Sequence, residues 1–158
     1  MAIITLNNNS LLDVTELPAG VGGKVLQVSD MAIISTEQAV ATTSYTDLTG
    51  FNISITPTST SSKIFMFANI ATHTPGTNRG YGLKFFRNTT EIFDSGQLYS
   101  IFYISGSGRQ IASWNYIDSP NTTSSTTYKV QVATYTGGSL NFNQASIKST
   151  FYLMEIAG

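Results

Sequence analysis

From residue 24 onward, short runs in which apolar and polar residues alternate are separated by clusters of turn-forming residues. In the stretch TSYTDLTGFNISITP, Phe51, Ile53 and Ile55 alternate with Asn52, Ser54 and Thr56, which predicts a strand with one buried and one wet face. The next stretch, SKIFMFANIATHT, is different. It sets Ile64, Met66, Ala68 and Ile70 on one side and Phe65, Phe67, Asn69 and Ala71 on the other, and predicts a central strand covered on both faces. KVLQVSDMAIIST predicts one or two strands, and YGLKFFRN with TEIFDSG predicts a hairpin turning at Asn88 and Thr89. LYSIFYIS, RQIASWNYID, YKVQVATY, LNFNQA and STFYLMEI complete the set. Together they predict an all-β chain of roughly eight to ten antiparallel strands, with turns at the spacing of sandwiches and barrels. No segment of useful length has a helical period, and no repeat of solenoid or propeller length is visible.

Residues 1–23 break this pattern. Ile3, Ile4, Leu6, Leu11, Leu12, Val14 and Leu17 are too many for a solvated tail and too irregular for a core strand, and they are followed by a proline and three glycines. The division expected is an extended N-terminal arm with a glycine hinge over 1–23 and a β-sandwich body over 24–158. The arm's apolar residues are satisfied by lying along another protein surface, or by folding back on the body. PAGVGGKV, at 18–25, is superficially a phosphate loop, but Pro18 lacks the N–H that the first glycine position supplies and Val25 lacks the hydroxyl that follows the lysine. Gly20, Gly22 and Gly23 are better explained as the hinge, since glycine permits backbone angles that other residues resist.

Composition narrows the function. Charged residues are 11% of the 158, against about 25% in an ordinary domain. The net charge is −1 and the eight basic residues are scattered, so no electrostatic footprint for nucleic acid is present. Ser, Thr, Asn, Tyr and Phe replace the missing charge, which suits pleated surfaces and turns. The chain has no cysteine, which removes disulfides and thiolate chemistry and lets it fold in a reducing cytoplasm. The N-terminal sequence lacks the pattern of a signal peptide, and no run approaches the roughly 18 apolar residues that span a bilayer. The sequons at Asn8, Asn52, Asn88 and Asn121 then follow simply from an Asn/Ser/Thr-rich composition.

Catalytic chemistry has little to build on. His73 is the one histidine and has no metal-ligand partner at a suitable spacing. SGSGR, at 105–109, is not a nucleophile elbow. Glu91 and Asp94, three apart on a strand, are expected on opposite faces, which leaves no carboxylate pair for glycoside hydrolysis or calcium. The expectation is a protein that is not an enzyme and that has no cofactor or metal. The aromatic residues Tyr99, Tyr103, Trp114 and Tyr116 are candidates for stacking on a sugar ring or for packing in the core or at a subunit contact.

Three stretches, TSYTDLTGFNISITPTSTSSKIFMFANI, DSPNTTSSTTYKVQV and STFYLMEIAG, resemble the β-rich domain of structural proteins of tailed bacteriophages, notably phages of cyanobacteria and other aquatic bacteria. MAIITLNNNSLLDVTELPAGVGGKVLQV is similar to the N-terminal segments that precede such domains. The resemblance covers nearly the whole chain and implies a jelly-roll-like sandwich, a homotrimer, and a place on the virion surface after synthesis in the host bacterial cytoplasm. Two jobs fit it. A capsid decoration, or cement, protein would grip the major capsid protein through its arms. A tail-fibre or receptor-binding subunit would dock on a tail or baseplate protein and recognise host surface polysaccharide with the polar loops at 73–80, 105–109 and 119–127, gathered at one end. The short chain with one arm, one body and no shaft repeat favours the first.

Overall fold

The computed structural model describes residues 24–158. Their strands are β1 (Val25–Val28), β2 (Ala32–Ile34), β3 (Gln38–Val40), β4 (Thr46–Ile55), β5 (Lys63–Thr74), β6 (Arg79–Arg87), β7 (Thr90–Asp94), β8 (Phe102–Ile104), β9 (Gly108–Asp118), β10 (Thr126–Thr134), β11 (Leu140–Phe142) and β12 (Ser149–Ile156). These segments fall into eight rows. In one sheet β9 lies beside β5, β5 beside the row formed by β11 and β12, and that row beside β1, β2 and β3. In the other, β4 lies beside β10, β10 beside β6, and β6 beside β7 and β8. All of these pairings are antiparallel. Successive rows thus alternate between sheets except at the hairpin from β6 to β7, which stays in one sheet, and this is the order of a jelly roll, the architecture that the phage resemblance implied.

Sequence and fold agree closely in the long strands. β4 and β5 occupy the stretches predicted for them, and the inner face of β5 presents Ile64, Met66, Ala68 and Ile70, none exposed. Phe51 of β4 meets Phe151 of β12 at 6.2 Å between ring centroids, and Tyr81 of β6 meets Phe142 of β11 edge-on at 5.4 Å. Each ring buried in this way stabilises the sandwich by about 1.5–3 kcal/mol. The hairpin turns at Asn88 as expected, with φ of 53°, and the Asn88 carboxamide accepts a hydrogen bond from the Thr127 amide at 2.9 Å. LYSIFYIS and LNFNQA are only partly extended. The first contributes Phe102–Ile104 alone, because Gln97–Tyr99 instead crosses the back of β6, where a Cβ on Gly82 would lie 2.9 Å from the Gln97 carbonyl. The second stops at Phe142, where Asn143 adopts φ of 58°; its amide donates to the Ala71 carbonyl and the Ser149 hydroxyl accepts from the Ala71 amide, bridging the gap between β11 and β12.

Polar pairs close the end of the sandwich near residues 56–62 and 119–125. Arg87 donates to both carboxylate oxygens of Asp118, at 3.0 and 2.9 Å, and the Tyr128 hydroxyl donates to one of them at 2.7 Å. Glu155 is 0% exposed and receives Gln27 Nε2 at 2.6 Å and both the amide and the hydroxyl of Thr58 at 2.7 Å. Burial opposes its ionisation, but the polar groups around it, the buried Ser62 hydroxyl and the Gln27 and Thr58 donors, outweigh that and hold its pKa at about 2. Because the folded value lies below the ordinary 4.5, the stabilisation is complete above that pH and disappears as pH falls toward 2. Glu155→Gln is expected to cost about 2–3 kcal/mol at neutral pH and to flatten the acid limb of stability measured by urea unfolding between those pH values.

Candidate functional site

The two sheets treat their outer faces in opposite ways. On the back of the β5 sheet, side chains that sit beside one another form a row of Ile117 from β9, Phe65 from β5, Met154 from β12 and Val28 from β1. The next row carries Phe67 and Tyr152, stacked at 5.2 Å, and Ile111 and Ile33 extend the surface along the sheet. Ile111 is 60% exposed, Val28 57%, Ile33 56% and Ile117 51%, while Phe65 and Phe67 are only half-buried. The double-sided apolar pattern of β5 is therefore real, but its second side is buried only toward Ala71, beside Gln144 and Ile147, and among the described residues nothing covers it around Phe65 and Phe67. A hydrogen-bonded triplet crosses the middle of the face, Ser113 to Asn69 at 2.6 Å and Asn69 to Thr150 at 3.1 Å.

The back of the β10 sheet is paired and polar. Lys129 meets Asp47 at 2.9 Å, and Gln131 donates to the same carboxylate at 2.7 Å. The hydrogen bond from Gln131, more than the ammonium, keeps the Asp47 carboxyl below its ordinary pKa. Lys84 lies 2.7 Å from Glu91 and 2.9 Å from Asp94. Hydrogen bonds to Glu91, then to Asp94, hold its ammonium above the usual range. The expectation that Glu91 and Asp94 diverge is overturned here. The ladder between β6 and β7 slips by one residue between Phe85 and Phe86, so Asp94 lies opposite Lys84 and Glu91 opposite Phe86, and both carboxylates reach one lysine. Such an ion-paired surface is at ease in water.

Aromatic residues singled out in the sequence separate into two groups. Tyr99 and Tyr103 come together at 6.1 Å and are joined by Tyr135, 5.2 and 5.6 Å from them. Tyr135 lies far along the chain, in the turn between β10 and β11, and no local pattern in the sequence marks it as their neighbour. Trp114 and Tyr116 are elsewhere, on the inner side of β9, where Phe93 of β7 meets them at 5.6 and 5.4 Å and closes the flank between the sheets. The loops also divide. Residues 75–78 and 105–107 lie at one end, since Thr74 pairs with Gly108, whereas 119–125 lies at the other, beyond the pairing of Ile64 with Asp118. Thus only two of the three polar loops gather, joined by the turn at Tyr135–Gly137.

His73 is on the back of the β5 sheet beside Arg109, at a shallow depression of about 260 Å³ that Ile111, Gln144 and Ile147 also line. Among the described residues there is no group of three or more carboxylates and histidines close enough to hold a metal ion, and no helix is long and apolar enough to cross a membrane. The arm residues Ile3, Ile4, Leu6, Leu11, Leu12, Val14 and Leu17 and the hinge residues Gly20, Gly22 and Gly23 lie outside the described residues.

No protein-family model matches the chain, and no curated protein does. Among solved structures it is similar to infectious bursal disease virus VP2 in a subviral particle, with a TM-score of 0.53 and 12% identity over 83% of this chain and 32% of that one. The structure of the Gx strain of the same virus gives a TM-score of 0.51 and 9% identity over 83% and 32%. The chain spans about a third of the length of each. At these identities the likeness is one of fold. The two aromatic groups are expected to respond differently to truncation. In urea unfolding, Trp114→Ala should lose about 2–3 kcal/mol by opening the flank between the sheets, and Tyr103→Ala should stay within about 0.5 kcal/mol of the parent.

Proposed function

We propose that this chain is a structural subunit of a virus particle, a non-catalytic protein that works by covering and being covered. The observation that carries the reading is the contrast between the ion-paired back of the β10 sheet and the apolar, uncovered back of the β5 sheet. Four strand rows about 4.8 Å apart and twelve residues of about 3.3 Å each make a face of about 750 Å², close to the roughly 800 Å² that each partner buries in a standard interface. Its occupant on this reading is a second copy of the chain, in the homotrimer that the resemblance to phage structural proteins implies. The fold likeness to VP2 in a subviral particle is in keeping with assembly on a virion.

Within that role we favour a capsid decoration, or cement, protein at the virion surface. The arm residues from Ile3 to Leu17 would bind the major capsid protein, and the glycines at 20, 22 and 23 would let arm and body orient independently. Many copies, each burying a few apolar side chains, add stability to a shell by avidity without chemistry. The second reading, a tail-fibre or receptor-binding subunit held by a tail or baseplate protein, is favoured by the exposed tyrosines at the loop end. Labelled antibody on intact particles, viewed by electron microscopy, separates head from tail.

The interface is tested by charging it. Val28→Asp with Ile117→Asp should leave the fold intact, since both side chains point to solvent, and should reduce the mass measured by light scattering from trimer to monomer. A parent protein that is already monomeric at high concentration overturns the interface. Deleting residues 1–23 should leave a folded body that no longer attaches to heads, and full attachment by that body overturns the arm.

A further inference from the structure

Three tyrosine rings meet edge-on at the loop end of the sandwich, at angles of 69°, 83° and 76°, and two of them stay largely in water, Tyr99 at 45% and Tyr103 at 52% exposed. Burying rings against one another while leaving this much of them wet is an arrangement that a ligand can complete. Their surroundings are polar: Ser100 and Thr136 are exposed next to Tyr99 and Tyr135, Thr77 and Asn78 are exposed on the turn before β6, and the Tyr103 hydroxyl donates to Asn78 Oδ1 at 3.2 Å. We propose that Tyr99, Tyr103 and Tyr135, with Asn78, form a binding site for a glycan.

The chemistry fits a sugar better than a protein surface. A pyranose offers a face of C–H groups to an aromatic ring and a rim of hydroxyls to phenol and carboxamide groups, and tyrosine and asparagine supply both kinds of contact. The apolar face of the β5 sheet, where Ile117, Met154 and Val28 flank Phe65, Phe67 and Tyr152, lies on the other sheet of the sandwich. The site holds whether the chain belongs to the head or to the tail, and does not depend on the β5-sheet interface.

The backbone fixes the rings in place. A Cβ on Gly80 would lie 2.4 Å from the Phe102 carbonyl and 3.0 Å from Tyr99 Cβ, so only glycine there lets the segment bearing Tyr99 lie against β6. Tyr135 is followed by Thr136 at φ of 56°, and Asn78 has φ of 53°. A β-branched residue holds that left-handed conformation only where the surrounding structure imposes it, and such positions concentrate at ligand sites. Preorganised rings lose little freedom on binding.

The test uses the full chain on an array of oligosaccharides from bacterial surface polysaccharides, neutral and acidic, followed by titration calorimetry with the strongest responder. Binding is expected, with Tyr99→Ala and Tyr103→Ala each weakening it about tenfold and the double variant abolishing it. Tyr103→Phe should keep most of the affinity, and the melting temperature of each variant should stay near that of the parent. Tyr116→Phe, on the inner side of β9, should bind as the parent does. The proposal is overturned if the parent binds no oligosaccharide on the array, or if the double variant binds undiminished. It is also overturned if the double variant loses subunit association in light scattering while glycan binding persists, which would make the tyrosines a protein contact.

Discussion

β5 is apolar on both sides, yet a two-layer sandwich provides cover for only one. Its inner side chains, Ile64, Met66, Ala68 and Ile70, lock against the opposing sheet and fix which rows can pack beside it. Its outer ones, Phe65 and Phe67, impose a debt that the fold leaves open, because a strand in the middle of a sheet cannot turn one face away from water without a third layer. The neighbouring rows follow it: Ile117, Met154, Val28 and Tyr152 align with the β5 side chains to make the apolar character a property of the sheet.

The rest of the molecule is arranged around that asymmetry. The back of the β10 sheet spends its few charges in pairs, at Lys84 with Glu91 and Asp94 and at Lys129 with Asp47, on the side that needs solvation. The buried charges are kept for closing one end of the sandwich, where Asp118 and Glu155 are saturated by Arg87, Tyr128, Gln27 and Thr58. The opposite end is left to short turns with left-handed residues, and it is there that the tyrosines gather. One chain therefore presents a surface suited to other protein, a surface suited to water, and a small aromatic end.

How much of this the sequence discloses depends on the range of the interaction. Period-two alternation is local, so the bounds and faces of β4 and β5 are legible directly, as is the turn at Asn88. The slip that brings Glu91 and Asp94 to one lysine is not, because a bulge depends on the partner strand's register and no residue type announces it. The meeting of Tyr99 and Tyr103 with Tyr135 was hidden for a related reason: β6 and β10 pair across a long separation in the chain, and only that pairing carries the turn at 135 to the others. Trp114 and Tyr116 share the parity of the core face of β9, and the register with Ala68 and Met66 shows why they pack inward. The second face of β5 was legible as apolar, while the nature of its cover was not, since that depends on a partner beyond the sheet.

If another copy of the chain covers the back of the β5 sheet on assembly, the side chains of that face lose contact with water. Hydroxyl-radical footprinting at protein concentrations above and below association tests it most directly. Oxidation of Met154, Phe65 and Tyr152 should fall on assembly, while that of Tyr45 and Phe86, on the back of the β10 sheet, should not change. Equal labelling of Met154, Phe65 and Tyr152 at both concentrations, in a protein whose mass shows that it has associated, would contradict it.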